Sequence, residues 1–142
     1  GVYHSSLLEK AAQVLKQKGL KEAFVVHGSD GLDELTLTGE STVAHLKNGE
    51  VKMLTLKPED FGIQPAPLLE VQGGNSEINA EIIQNILKNV RSPKRDLVVM
   101  NAAAAVVLLG REKTFKEAAQ WISHLIDSGK AQDHYERMRN RS

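Results

Sequence analysis

The chain has 142 residues, a length that suits one domain with its own core. Its 18 Lys+Arg balance 18 Asp+Glu and only 4% of residues are aromatic, which argues against a polybasic nucleic-acid surface, an acidic tail or a platform for stacking bases. It has no cysteine, so disulfides, zinc–thiolate sites and a thiol nucleophile are excluded.

The longest apolar stretch, Leu97 to Leu109, is interrupted by Asn101 and is shorter than the ~18 residues of a membrane span. The first residues, Gly1-Val2-Tyr3-His4, lack a starting Met and the charged-then-apolar pattern of a secretory signal. A start inside a longer protein, or after processing, is therefore expected, and a reducing cytoplasm is the expected compartment.

Leu7, Leu8, Ala11, Ala12 and Leu15 recur at helical spacing, with Ser6 and Glu9 as a capping box and Gly19 as a stop, and predict a helix over 6–18. Ala23-Phe24-Val25-Val26-His27, closed by Gly28, predicts a strand buried on both faces. Segments 42–47 and 51–56 flank Asn48-Gly49 and predict an antiparallel hairpin. Pro58, Pro65 and Pro67 then keep the chain irregular.

Ile78, Ile82, Ile83, Ile86 and Leu87 make a helical stripe with Ser76 as N-cap; Leu97 to Leu109 reads as a buried helix. Phe115, Ala118, Ala119, Ile122, Leu125 and Ile126 make a third stripe behind the capping box Thr114…Glu117, and 131–141 predicts a last, polar helix. These elements imply an α/β fold, a mixed, largely parallel sheet flanked by helices with the antiparallel hairpin at its margin.

Four carboxylates, Asp30, Asp33, Glu34 and Glu40, follow the first strand among Gly28, Gly31 and Gly39. Ligands of parallel α/β sheets sit beyond the carboxyl ends of strands, where this loop falls. Two readings follow. One is a Mg²⁺ site, since this ion takes one or two carboxylates and fills its shell with waters and substrate phosphates. The other, which spacing alone favours, is a solvated acidic loop in which Asp33 or Glu34 caps backbone donors.

His4, His27, His45, His124 and His134 nowhere pair at metal-ligand spacing, and His27 reads as a hydrogen-bonded structural residue. Gly73-Gly74 reads as a plain turn rather than an anion site. Arg91, Lys94 and Arg95, with no interleaved aromatics, read as a solvated basic loop.

The run Val25-Val26-His27-Gly28-Ser29-Asp30-Gly31-Leu32-Asp33-Glu34 resembles the VVHG-x-DGLDE stretch of the anthranilate phosphoribosyltransferase family. Four further blocks are similar to that family in the same order: Gly1-Val2-Tyr3, Pro58-Glu59-Asp60-Phe61-Gly62, Gly73-Gly74 with Asn79-Ala80, and Arg95-Asp96 with Asn101-Ala102-Ala103-Ala104-Ala105. The resemblance implies part of the phosphoribosyltransferase/nucleoside phosphorylase α/β domain. It also implies transfer of phosphoribose from phosphoribosyl pyrophosphate to anthranilate, in tryptophan biosynthesis. Asp33 and Glu34 match the family's metal-holding Asp-Glu pair, which implies Mg²⁺ as cofactor; the role does not extend to Asp30 or Glu40.

The family's GTGGD and KHGN segments do not occur in these residues, nor does its amino-terminal helical region. The resemblance thus implies that residues 1–142 are the carboxyl-terminal portion of the catalytic domain, inactive alone, of a parent that forms a homodimer and binds neither membrane nor nucleic acid. Such a portion is expected to self-associate through an open sheet edge or to cover that edge locally. Two alternatives stay open: a catalytically silent paralogue that binds nucleic acid or another anion, and a relative of the pyrimidine nucleoside phosphorylases.

Overall fold

The computed structural model of the chain describes residues 1–140. A 3-10 turn at Ser5–Leu7 leads into α1 (Leu8–Gln17), followed by β1 (Glu22–Gly28), β2 (Ser41–Lys47) and β3 (Glu50–Leu56). A second 3-10 turn, Pro58–Phe61, precedes α2 (Leu68–Val71), α3 (Ser76–Leu87), α4 (Pro93–Leu108), α5 (Phe115–Asp127) and α6 (Lys130–Arg139). The last helix falls where expected, except that Arg141 lies outside the described residues.

The α/β class is as expected, but the strand directions differ from a largely parallel sheet. All three described strands pair antiparallel in the order β1-β2-β3, with registers from Glu22↔Lys47 to Gly28↔Ser41 and from Ser41↔Leu56 to Lys47↔Glu50. The reason lies in the two-sided burial of β1. Val25 and Ala44 turn to one face, where Leu8 and Ala12 of α1 cover them. Phe24, Val26, Val43 and Leu54 turn to the other, onto Leu37, Phe61, Val99 and Met100. Helices on both faces demand a continuous apolar run whichever way the neighbouring strand points.

The hairpin forms where Asn48-Gly49 places it, with φ of 50° and 81° at the two central residues. The outer edge of β1 is partly covered by the start of the chain. The Val2 N–H donates to the Val26 carbonyl at 2.9 Å, and His27 Nδ1 donates to the Val2 carbonyl at 2.9 Å. His27 is thus the structural histidine expected.

Helix starts depart from expectation in two places. Ser6 and Glu9 form no capping box; the Ser6 hydroxyl pairs with His4 Nδ1 at 2.9 Å, and α1 begins at Leu8 with no side-chain cap. The N-cap of α3 is Asn75, which accepts from Ile78 N–H at 2.9 Å, rather than Ser76. By contrast Thr114 and Glu117 cap α5 reciprocally, and Phe115 then meets Phe61 with ring centroids 4.8 Å apart.

Arg95 is not a solvated residue. Ser92 caps α4 and Pro93 opens it, which turns Arg95 inward until only 1% of it is exposed. Its Nη2 donates to Asp127 Oδ1 at 2.6 Å, while the exposed Arg91 donates to Asp127 Oδ2 at 2.9 Å. One carboxylate at the end of α5 therefore holds two turns of chain around the start of α4. Arg95→Ala should lower unfolding free energy by roughly 2–4 kcal/mol, since a broken buried pair costs about 3–5 and Asp127 keeps Arg91 and some water. Arg91→Ala should cost less than about 1 kcal/mol; urea denaturation of the two variants checks the contrast.

Candidate functional site

Residues 29–40 join β1 to β2 without strand partners of their own, so their polar backbone groups need other acceptors and donors. Gly28 N–H bonds the Leu32 carbonyl at 2.8 Å, Gly31 N–H the Gly28 carbonyl at 2.9 Å, and Ser29 N–H the Glu40 carbonyl at 3.0 Å. Gly31 has φ of +91°, which glycine adopts without steric cost. Gly28 is required for space: a Cβ there would stand 2.7 Å from Asp30 Oδ1 and 3.0 Å from Thr36 Cβ.

Asp30 is the hub of this loop. Its Oδ1 accepts from Leu32 N–H at 3.2 Å, and its Oδ2 accepts from the hydroxyls of Thr36 and Thr38. Burial works against its charge, but the bonds from Thr36, Leu32 and Thr38 outweigh burial and hold the carboxyl below the ordinary aspartate range. The far end is fixed by Ser41 Oγ, which accepts from the buried Thr36 N–H at 2.9 Å. Glu40, at the exposed rim, pairs with Lys57 at 2.9 Å.

Leu35 and Leu37 point into the main core, 1% and 0% exposed. The peptide of Leu35 is also gripped from α4. Asn101 Oδ1 accepts from Leu35 N–H at 2.9 Å, and Asn101 Nδ2 donates to the Leu35 carbonyl at 2.9 Å and to the Leu97 carbonyl at 3.1 Å. In sequence Asn101 is legible only as a break in an apolar run. Its partner lies far along the chain and has no side-chain polarity to mark it.

Two of the four carboxylates are thus consumed by the architecture and two are not. Asp33 is exposed and Glu34 half-buried, and neither takes part in any hydrogen bond or ion pair of the described residues. Burial, then the charges of Asp33 and Asp30, raise the Glu34 carboxyl above its ordinary value. Glu34 stands at the edge of a groove of about 270 Å³ walled by Ile82, Ile83, Leu97 and Val98, with Lys94 also facing it. Lys94 Nζ donates to the Glu70 carbonyl at 2.7 Å.

Among the described residues no group of three or more His, Cys, Asp or Glu could enclose a metal. Two spare, adjacent carboxylates are hard oxygen donors that fit Mg²⁺, an ion which takes one or two such groups and keeps water and phosphate for the rest. They do not fit a fully protein-ligated Ca²⁺ or Zn²⁺ centre. Asn75 occupies the start of α3, and Asn79 exchanges bonds with Gly74 N–H at 2.8 Å and the Gly74 carbonyl at 2.9 Å. Gly73-Gly74 is irregular chain between α2 and α3, held through Gly74 by Asn79.

Comparison with known proteins bears on this geometry. The family model described as "Glycosyl transferase family, a/b domain" matches residues 1–132, and the chain belongs to that family. It is 47% identical over 138 residues to an anthranilate phosphoribosyltransferase of Geobacter sp. (strain M21), covering 97% of this chain and 39% of that relative. It superposes with a TM-score of 0.86 on the crystal structure of anthranilate phosphoribosyltransferase from Thermus thermophilus, at 33% identity, over 96% of this chain and 40% of that one. For the Saccharomyces cerevisiae enzyme in complex with PRPP and Mg the TM-score is 0.88 at 28% identity, over 96% of this chain and 40% of that one. The chain thus spans about two-fifths of the length of the relatives it matches. Among the described residues no helix is long and apolar enough to cross a membrane.

Removing Asp30 tests the loop while leaving both spare carboxylates in the chain. Asp30→Ala should cost about 1–3 kcal/mol by leaving its donors unpaired. Because the folded pKa of Asp30 is depressed, its contribution is fully present above the ordinary aspartate pKa and is lost as pH falls through the lower, folded value. Denaturation of wild type and variant should therefore show a gap at neutral pH that closes in acid.

Proposed function

We propose that this chain is the carboxyl-terminal portion of the catalytic domain of an anthranilate phosphoribosyltransferase, and that Asp33 and Glu34 hold Mg²⁺ against the diphosphate of phosphoribosyl pyrophosphate. The observation that carries the reading is the spare pair. In a loop where Asp30 and Glu40 are engaged, the sequence neighbours Asp33 and Glu34 keep their carboxylate oxygens free of protein partners. The relatives' names and the Mg and PRPP bound to the yeast enzyme support the same chemistry.

In this reaction the amine nitrogen of anthranilate forms a bond to C1 of the ribose, the bond from C1 to the diphosphate oxygen breaks, and the amine gives up a proton. The product is N-(5-phosphoribosyl)anthranilate, and pyrophosphate leaves. Charge grows on the departing diphosphate while the sugar becomes cationic. The metal, when bound, neutralises and orients the leaving group. The part of this chain is positional: the loop after β1 carries the two carboxylates, and the flanking Leu32 and Leu35 backbone groups are held by Asp30 and Asn101. Geometry set before the reaction is worth more than geometry acquired during it.

The same reading assigns the helical region and the diphosphate-cradling loop to sequence outside these residues, so the 142-residue chain alone forms no product. It takes the parent to be a cytoplasmic homodimer that acts in tryptophan biosynthesis. The transferase names of the relatives favour this enzyme over a silent nucleic-acid- or anion-binding paralogue and over a nucleoside phosphorylase.

The test is product formation by the full-length protein from phosphoribosyl pyrophosphate, anthranilate and Mg²⁺, followed by the loss of anthranilate fluorescence. Asp33→Asn and Glu34→Gln should each lower kcat/KM by about 10²-fold, equivalent to roughly 3 kcal/mol of lost charge stabilisation, and raise the Mg²⁺ concentration needed for half-maximal rate. A full-length protein that makes no product, or one indifferent to both substitutions, overturns the proposal.

A further inference from the structure

Asn101 is the one strongly polar residue between Leu97 and Leu109, in a helix that is otherwise apolar and alanine-rich there. Its amide bonds the backbone of Leu35 twice, accepting from the N–H and donating to the carbonyl, both at 2.9 Å. The second Nδ2 hydrogen goes to the Leu97 carbonyl at 3.1 Å. This pattern also fixes the amide's orientation. With oxygen and nitrogen exchanged, a donor would face Leu35 N–H and an acceptor would face two carbonyls.

We propose that Asn101 is a positioning residue for the Asp33–Glu34 pair, and the proposal rests on the metal-binding reading given above. The Leu35 N–H belongs to the peptide group that joins Glu34 to Leu35 and the Leu35 carbonyl to the next group, so Asn101 holds both peptide groups flanking Leu35, and the first of them carries Glu34. A single bond would fix one of these groups and leave the other free to turn. Core packing does not replace this. The Leu35 and Leu37 side chains are buried at 1% and 0%, which tethers the loop but does not set its peptide planes. Upstream, Asp30 fixes the chain through Leu32, Thr36 and Thr38. The carboxylates hang between these two anchors and have no hydrogen bonds to hold them otherwise. Asn101 is therefore the polar link that ties their position to a helix rather than to the loop itself.

The experiment is titration of the full-length protein with Mn²⁺ in the presence of phosphoribosyl pyrophosphate, with free Mn²⁺ read by electron paramagnetic resonance. Each variant is held at a temperature where circular dichroism shows it fully folded. Asn101→Ala should weaken Mn²⁺ binding about 10–100-fold, the usual effect of losing a residue that orients a metal ligand. Val106→Ala destabilises the same helix from a buried position while leaving both Asn101 bonds to Leu35 in place and should leave Mn²⁺ binding unchanged. If Asn101→Ala does not fold, Asn101→Asp keeps the acceptor for Leu35 N–H, loses both donors, and should weaken binding in the same direction.

Should the Asn101 variant lose no more affinity than Val106→Ala while Asp33→Asn and Glu34→Gln both lose it, the positioning role is wrong and the metal site stands. Should the two carboxylate variants bind Mn²⁺ as wild type does, the metal reading itself fails.

Discussion

Residues 29–40 leave the sheet before their backbone can be paired by a neighbouring strand, and the need to satisfy those peptide groups governs the rest of the site. Unpaired polar groups at partial burial cost about as much as a lost hydrogen bond each. The chain meets the need with Asp30, Ser41 and Asn101, one from the loop, one from the first residue of β2 and one from α4. Spacing alone cannot sort four carboxylates into two kinds. Their partners do, because Asp30 is taken up by the loop and Glu40 by Lys57, while Asp33 and Glu34 have neither.

What remains is an arrangement that folding alone would not favour. Two neighbouring acids repel one another, and Glu34 carries a further cost from partial burial. A loop held by fewer anchors would relax by turning one side chain away. Here Leu35 and Leu37 are locked in the core, which keeps the backbone that carries the pair in place.

Features decided by neighbours in sequence are legible without the structure. Asn48-Gly49 marks the hairpin, Thr114 and Glu117 mark the start of α5, and the apolar stripes locate the long helices. Features decided by distant partners are not legible. The direction of β1 relative to β2 leaves no mark on a strand covered by helices on both faces. Arg95 reads as part of a solvated cluster because Asp127, which draws it inward, lies on another helix. Asp33 and Glu34 stand out through likeness to a family, not through spacing. Asn101 belongs to the same likeness, yet its bond to Leu35 cannot be read from either position.

The separation of those two residues also orders events as the chain is made. Leu35 and Asn101 are 66 positions apart, and a contact at that range closes only after the intervening chain exists and has collapsed. Proteins emerge amino end first, so β1, β2 and β3 are complete, and the hairpin is free to form, while the acidic loop still lacks its grip on α4. A segment synthesised early thus depends for its last polar contacts on residues made much later.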